Sequence, residues 1–434
     1  MEDLSWYKCR SYLHFDPPIS KATAASFVKD EARVATHAFY PFICYEAISF
    51  KFGFDHGLGI LKKKEKIRPI AYSSHLDSHI YSYYTKKLSS LYEHKLRELS
   101  LEKSVLAFRS IDRKSNIHFA NDAFNDIKHL GECTALAFDI TGFFDNLDHA
   151  LLKEAWTSLL GSQRLPPDHF NIYKSITKFS KIEKGPLFDL LDISENNPKV
   201  DSKRICSPKT FREKVRKSGL IKANGPKGIP QGSPISALLS NIYMLSFDRA
   251  IIERLSTLEA PYYRYCDDIL IICKSKYAQE IRDFVQDTIE LIRLEIQPRK
   301  TEIRTFTHDG VRLRADKPLQ YLGFLFDGKN AYLRSASLSR YYKKAAKGVF
   351  VAHQSMLRVN DIRRGKGLPD LKLFRRTLNK RYTYTGRRNF LSYGYRAAKI
   401  MESPTIRRQL KPHWKRIEAL IIKEMLAATE KRKP

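Results

Sequence analysis

The sequence predicts an α+β protein. Three observations point there. A short apolar strand at 133–140 ends in an acid, a longer apolar run at 262–273 is broken by an acidic pair, and apolar residues recur at helical spacing over 278–294. At 434 residues the chain is long enough for two or three packed units and a sizeable core. Hydrophobic residues make up 43% and aromatics 12%, which fits a globular chain rather than a disordered one.

The elements follow in order. In Cys133–Ile140 the apolar residues Leu136, Phe138 and Ile140 alternate, so the segment reads as a buried strand with Asp139 near its C-terminal end. Ser233-Pro234 reads as an N-cap followed by proline in the first helical position. The helix it opens carries Ile235, Leu238, Leu239 and Ile242 on one face. Tyr262 to Cys273 reads as a hairpin with Asp267 and Asp268 at its turn. Ile281, Phe284, Val285, Thr288 and Ile292 make 278–294 an amphipathic helix. The last quarter reads as mostly helical.

Charge divides the chain more sharply than composition does. The formal net charge is +30, and residues 331–434 hold 27 Lys and Arg against 6 Asp and Glu. A second basic run, 203–222, has 8 Lys and Arg against Glu213 alone. Such an excess points to a nucleic-acid partner. Ribosomal-type binding and an anionic membrane surface are the plainer alternatives. No apolar run is long enough for a transmembrane helix. The start, Met1-Glu2-Asp3-Leu4-Ser5-Trp6-Tyr7-Lys8, has no signal-peptide pattern. Cys9, Cys44, Cys133, Cys206, Cys266 and Cys273 form no C-x-x-C pair or zinc-like cluster, so they read as reduced thiols of a cytoplasmic protein.

Asp139, Asp267 and Asp268 carry the chemistry. Three carboxylates brought together repel each other unless cations hold them. Mg²⁺ takes oxygen ligands, typically one or two carboxylates plus substrate phosphate oxygens. Two such ions about 3.5–4 Å apart suit nucleotidyl transfer. An acidic pair in a turn is ordinarily just solvated. Here Ile269, Leu270, Ile271 and Ile272 follow at once and force the pair beside a core strand.

Further blocks are ordered around these acids. They are Phe138-Asp139-Ile140-Thr141-Gly142-Phe143-Phe144-Asp145, then Gly228-Ile229-Pro230-Gln231-Gly232-Ser233-Pro234-Ile235-Ser236, Tyr265-Cys266-Asp267-Asp268, Gln297-Pro298-Arg299-Lys300-Thr301 and Leu319-Gln320-Tyr321-Leu322-Gly323-Phe324. In this order they resemble the palm motifs A to E of the reverse transcriptases. Upstream, Lys62-Lys63-Lys64-Glu65-Lys66-Ile67-Arg68-Pro69-Ile70 resembles that family's fingers hairpin and Leu106-Ala107-Phe108-Arg109 the next fingers motif.

The resemblance covers about 58–330. It implies a right-hand polymerase: an N-terminal segment and fingers (1–130), a palm of antiparallel sheet plus helices (131–330, with an inserted connecting segment 156–224) and a basic helical thumb (331–434).

The resemblance also implies roles. Asp139, Asp267, Asp268 and the backbone of Ile140 would hold two Mg²⁺ ions. Lys300 would be a general acid toward the pyrophosphate, a surface lysine being the alternative. Lys66, assigned from the run Lys62 to Lys66, and Arg68 would meet the phosphates and base of the incoming nucleotide; a solvated basic turn is the alternative there. Phe144 would be a steric gate against ribonucleotides, or else an ordinary core aromatic. Gln231 and Gly232 would pack on nucleotide and template. Tyr321, Leu322 and Gly323 would form a primer grip. Independently of the resemblance, Arg387 and Arg388, interleaved with Tyr382, Tyr384 and Tyr393 in the basic C-terminal region, read as RNA-binding, a helical surface made basic only for solubility being the alternative.

Within the family, no Cys-pair endonuclease signature follows the thumb as in group II intron proteins. Leu333-Arg334-Ser335-Ala336-Ser337 stands where retron enzymes carry other blocks. The Tyr-Cys-Asp-Asp turn and the long 156–224 segment resemble most the bacterial defence-associated reverse transcriptases of the unknown group, type 2. That resemblance implies antiphage defence, a dedicated noncoding RNA as template, a complementary DNA product, deoxynucleoside triphosphates as substrates and no membrane. The oligomeric state is not legible. A template-independent, protein-primed DNA polymerase, a retron-like or intron-derived enzyme, an RNA-dependent RNA polymerase and a non-catalytic RNA-binding protein are the competing readings.

Overall fold

The computed structural model describes residues 4–55, 60–195 and 203–430. The side chains of 51–55, 60–64 and 427–430 lie outside it, and with them the lysines Lys62 to Lys64. The chain opens with helices α1 (Lys21–Val28) and α2 (Glu31–Ala35), the long strands β1 (Phe42–Asp55) and β2 (Ile60–Tyr72), and helices α3 (His75–Glu98) and α4 (Asn116–Leu130). Then come β3 (Cys133–Asp139), α5 (Phe143–Asn146), α6 (His149–Leu159), α7 (Pro167–Thr177), β4 (Ser180–Glu183), α8 (Lys184–Leu190) and the short α9 (Pro208–Thr210). A π-helical turn (Phe211–Val215), β5 (Lys222–Ala223), α10 (Ser236–Tyr243), α11 (Leu245–Ser256), β6 (Tyr262–Tyr265), β7 (Asp268–Cys273) and α12 (Ala278–Leu291) follow. Strands β8 (Glu302–His308), β9 (Leu313–Ala315), β10 (Leu319–Tyr321), β11 (Phe324–Phe326) and β12 (Ala331–Leu333) lead to five helices: α13 (Ser335–Arg364), α14 (Arg375–Tyr382), α15 (Phe390–Ile400), α16 (Pro404–Leu410) and α17 (His413–Glu430).

The central sheet is antiparallel, in the order β6-β7-β3-β8-β9. Successive side chains of a strand point to opposite faces. Leu136, Phe138, Ile269 and Ile271 enter one core, with α3, α6, α10, α11 and α12. Cys133, Ala135, Leu270 and Ile272 enter another, with α4, the β10–β12 meander, α15 and α16. Both faces are covered, so β3 and β7 read as near-continuous apolar runs. A second sheet, β2-β1-β4-β5, stands over a smaller core that joins Phe15 and Ile43 to Ile182, Phe188 and Phe211. Ala345, Val349, Leu378, Ile417 and Ile421 form a fourth core in the C-terminal helices.

The strand at 133, the 262–273 hairpin, the 278 helix and the helical C-terminal quarter all stand where the sequence places them. Two local readings are corrected. Ser233 is not an N-cap: α10 begins at Ser236, and the Ser233 hydroxyl is buried without a protein partner. The Gln231 carbonyl accepts the Ala71 amide at 2.7 Å, which ties this stretch to β2 and keeps it in turns as far as Ile235. Asp268 is not in the hairpin turn but opens β7, opposite Tyr265. All six cysteines are free. Among the described residues, no helix is long and apolar enough to cross a membrane.

Beneath the hairpin lies a fully buried ion pair. Arg264 of β6 donates through Nε and Nη2 to the two carboxylate oxygens of Asp248 on α11, at 2.6 and 2.5 Å. Its Nη1 reaches Asn241 Oδ1 (3.0 Å) and the Cys266 carbonyl (3.2 Å), while the Tyr262 hydroxyl donates to Asp248 at 2.5 Å. Removing one member of such a pair strands the other charge away from water. Asp248→Ala should therefore cost about 3–5 kcal/mol in denaturant unfolding, and the double variant Asp248→Leu with Arg264→Met should cost clearly less. Equal losses in single and double variants would show that the pair does not act as a unit.

Candidate active site

The register of the central sheet sets Asp139, the last residue of β3, directly opposite Asp268, the first of β7. Between β6 and β7 the chain turns through Cys266, whose φ of +62° is the left-handed conformation a tight reversal needs, and Asp267. Backbone bonds hold the end of β3 on both sides. The Ile140 amide donates to the Asp267 carbonyl at 3.3 Å, and the Asp139 carbonyl accepts the Gln297 amide at 2.7 Å. The three acids line a cleft of about 680 Å³. Lys66 and Arg68 from β2, Lys300, and Tyr321, Leu322 and Gly323 line it too. Nine of the residues singled out from sequence therefore share one cavity.

Its electrostatics are those of crowded carboxylates. The Asp268 carboxyl is pushed from the ordinary 3.8 up to about 6, first by lost hydration in the cleft floor, then by Asp267 and Asp139. Lys300 and Lys66 act in the opposite direction. The Lys300 ammonium donates to Asp139 Oδ1. Among the described residues no three metal-ligating side chains close into a cage. The donor set nevertheless suits a hard divalent cation. It is all oxygen, its charges oppose one another, and a lysine now supplies the positive charge that a cation would bring.

Phe144, Gln231 and Gly232 form a neighbouring group outside the lining of that cleft. The Phe144 carbonyl accepts the Ile229 amide at 2.9 Å, and its half-buried ring packs on the main core, 5.5 Å from that of Phe143. At Gly228 (φ +84°) a Cβ would lie 2.6 Å from the Asp145 carbonyl oxygen. At Gly232 (φ +119°) it would lie 2.6 Å from that of Ala71. Glycine alone lets the 228–232 loop back onto both neighbours. Arg387 and Arg388 are exposed on the turn before α15, far along the chain from the acids and outside their cleft.

Sequence reading missed Asn116, the first residue of α4. Its amide donates to the Leu322 carbonyl (3.1 Å) and the Tyr393 hydroxyl (2.9 Å), tying the left-handed turn at Leu322 (φ +44°) to α15. Arg299 and Arg334 also line the cleft and add positive charge. An asparagine that opens a helix carries no local pattern of its own, so only spatial proximity reveals it. Arg109 of the second fingers block is engaged structurally, paired with Glu93 at 2.7 Å.

A family model described as reverse transcriptase (RNA-dependent DNA polymerase) matches residues 60–326, more than half of the chain. The chain belongs to the reverse transcriptase family. Its architecture is the right-hand polymerase fold of that family, with the central sheet as palm and the acids at the ends of its inner strands. Among solved structures it is similar to an apo telomerase from Candida tropicalis truncated from the C-terminal domain. The two are 12% identical over 73% of this chain and 61% of that one, with a TM-score of 0.40. A telomerase from Candida albicans in complex with a fragment of telomeric RNA is 12% identical over 93% of this chain and 66% of that one, with a TM-score of 0.40. The chain thus spans less than two thirds of either telomerase chain. A search of curated proteins finds no match.

The raised Asp268 carboxyl sets a pH dependence. Its proton is held below pH 6 and must leave when a divalent cation binds. Affinity for Mn²⁺ should therefore be roughly tenfold weaker at pH 5 than at pH 7, and Asp267→Asn should flatten the difference by removing one source of repulsion. In the metal-free protein the sign is opposite, because a raised folded-state pKa stabilises below the ordinary value and that stability is lost as pH rises toward 6. Calorimetric titration with Mn²⁺ at the two pH values reads the first effect, and equal affinities would exclude it.

Proposed function

We propose that this reverse transcriptase is an RNA-directed DNA polymerase that joins deoxynucleotides by two-metal nucleotidyl transfer. The supporting observation is the pairing of Asp139 with Asp268, with Asp267 beside them, in one cleft with Lys66, Arg68 and Lys300. Asp139, Asp267, Asp268 and the Ile140 carbonyl would hold two Mg²⁺ ions. When bound, such ions lower the charge barrier between an attacking 3′-hydroxyl and a triphosphate. The chain's own groups do the rest. Lys66 and Arg68 bind triphosphate oxygens and orient them. The Lys300 ammonium holds a proton at Nζ that can pass to the departing pyrophosphate. Phe144, backed by the 228–232 loop with Gln231 and Gly232, closes the space where a 2′-hydroxyl would sit. Tyr321, Leu322 and Gly323 carry the primer end.

Residues 1–130 would act as N-terminal segment and fingers, 131–330 as palm with the inserted 156–224, and 331–434 as thumb. The finer reading is an antiphage system in which a dedicated noncoding RNA is held and copied into complementary DNA. The Tyr-Cys-Asp-Asp turn, the 156–224 segment and the basic thumb with Arg387 and Arg388 support it.

Asp267→Ala with Asp268→Ala should abolish incorporation of deoxynucleotides with Mg²⁺ on a primed RNA, with RNA binding retained. Incorporation by the double variant would overturn the site. In cells the same variant should lose protection against phage; undiminished protection would overturn the link between synthesis and defence.

Phe144→Ala should lower the ratio of kcat/KM for a deoxynucleotide to that for its ribonucleotide, because the steric exclusion is lost. An unchanged ratio would make Phe144 a packing residue only.

Arg387→Ala with Arg388→Ala should weaken RNA binding and flatten its salt dependence by about 0.7–0.9 log units per log unit of salt for each phosphate left without its cation. Thermal stability should change little, since both side chains are exposed. A salt titration of binding on copurifying RNA checks this, and parallel slopes at equal affinity would place the RNA elsewhere.

A further inference from the structure

A second cleft, of about 840 Å³, shares no lining residue with the acidic one. It lies between the 37–41 segment before β1, the C-terminal end of α7 and the stretch from α9 to Ile221. One wall presents Lys174 and Lys178, one helical turn apart. The other presents Arg212 and Arg216. All four are exposed, and none is ion-paired among the described residues. Among the described residues, no Asp or Glu lines the cleft. Asp77, behind it, is buried and already accepts from His37 Nε2 (2.7 Å) and the Tyr40 amide (3.0 Å). Four unneutralised cations face one another at a cost in self-repulsion, which an anionic ligand would relieve.

Two further features narrow the ligand. Arg212 and Arg216 sit on and beside the π-helical turn, where the Arg216 amide reaches back five residues to the Phe211 carbonyl at 2.9 Å. Such turns are rare and are frequently found at functional sites. The cleft also holds the half-buried rings of Phe39 and Tyr40, with the Arg216 guanidinium 5.8 Å above the Phe211 ring. Next along the chain, Lys203 and Arg204 line a smaller depression, so the positive surface extends beyond one phosphate's reach. Cations that track a chain of phosphates, interleaved with aromatic faces, are what a single-stranded nucleic acid requires.

We infer that this cleft is an RNA-binding site separate from the polymerase cleft, taking a single-stranded RNA segment through its phosphates and unstacked bases. The inference rests on the reading of the chain as an RNA-copying enzyme. It assigns to 174–178 and 208–216 the task of holding RNA that is not, at that moment, in the acidic cleft. The connecting segment between the first two palm motifs thereby acquires a purpose: it builds one wall of an RNA anchor.

The test uses the full chain and labelled polyuridylate. Arg212→Ala with Arg216→Ala is one variant, and Lys174→Ala with Lys178→Ala on the opposite wall is the second. Lys103→Ala with Arg282→Ala removes the same charge elsewhere. Each wall variant should lose severalfold in affinity, and its salt slope should fall by about 1.4, two single-strand phosphates at roughly 0.7 each. The control should lose much less. Extension of a preannealed primer on polyadenylate should keep its kcat in both wall variants. If both wall variants bind polyuridylate as the control does, the inference is overturned. If polyglutamate displaces the RNA from the wild type but not from the wall variants, the cleft belongs to an acidic protein and the inference again fails. A wild type that binds polyuridylate through these residues yet extends no primer would overturn the polymerase reading and leave the cleft standing.

Discussion

The pairing of Arg264 with Asp248 is the constraint on which the geometry of the acidic cleft depends. Both groups are wholly out of water, and a buried charge tolerates that only with its partners in place. Arg264 therefore fixes β6 against α10 and α11 at once, through Asp248 and Asn241. The same residue's backbone pairs with the 104–106 segment, accepting from Leu106 at 2.9 Å and donating to Ser104 at 2.8 Å. Its side chain also meets the Cys266 carbonyl, one residue before the first acid of the pair. The acidic turn is thus not a free loop. It is the tip of a hairpin pinned from below, and a site pinned in this way can hold carboxylates close together against their own repulsion.

That repulsion is the second organising feature. Asp139 and Asp268 are neighbours because an antiparallel register makes them so, and the sheet cannot slip without moving Leu136, Phe138, Ile269 and Ile271 out of their core. Burial on both faces of the sheet therefore supplies the work of bringing like charges together. The cations around them, Lys300 and Lys66 with Arg68, Arg299 and Arg334, come from other elements and line the same cleft, Lys300 in direct contact with Asp139. The site is poised rather than relaxed, with one carboxyl raised and one engaged by a lysine.

Outside the acids, loops are positioned by each other. The Phe144 loop and the 228–232 loop share backbone bonds, and the latter bonds to Ala71 on the strand that bears Lys66 and Arg68. Asn116 joins the Leu322 turn to Tyr393 of α15 in the same manner. The second core accordingly runs without interruption from the central sheet into α15 and α16, so the C-terminal region is anchored by burial while its basic face stays in water. Of the two cationic walls beside the π-helical turn, that of Arg212 and Arg216 stands on the third, smaller core, whereas that of Lys174 and Lys178 is carried by α7, whose Ile172 and Ile176 enter the main core.

By itself the sequence determined the family and the order of its motifs. Local patterns suffice for strand β3 ending in Asp139, the hairpin around Asp267 and the amphipathic helix α12, because alternation and helical period are properties of neighbouring residues. The ordered motifs identified the family for the same reason. Ser233 misleads because a serine before a proline looks like a cap. A long-range bond from Ala71 to Gln231 overrides that local preference. Only the tertiary structure decided which side chains share a cavity: that Lys300 engages Asp139 from 161 residues away, that Asn116 holds Leu322, and that Lys174 and Lys178 face Arg212 and Arg216. Pairings of that kind follow from packing between elements distant in the chain, where no spacing rule reaches. A basic run at 203–222 is visible as charge in the sequence, and it takes the fold to give that charge an opposite wall.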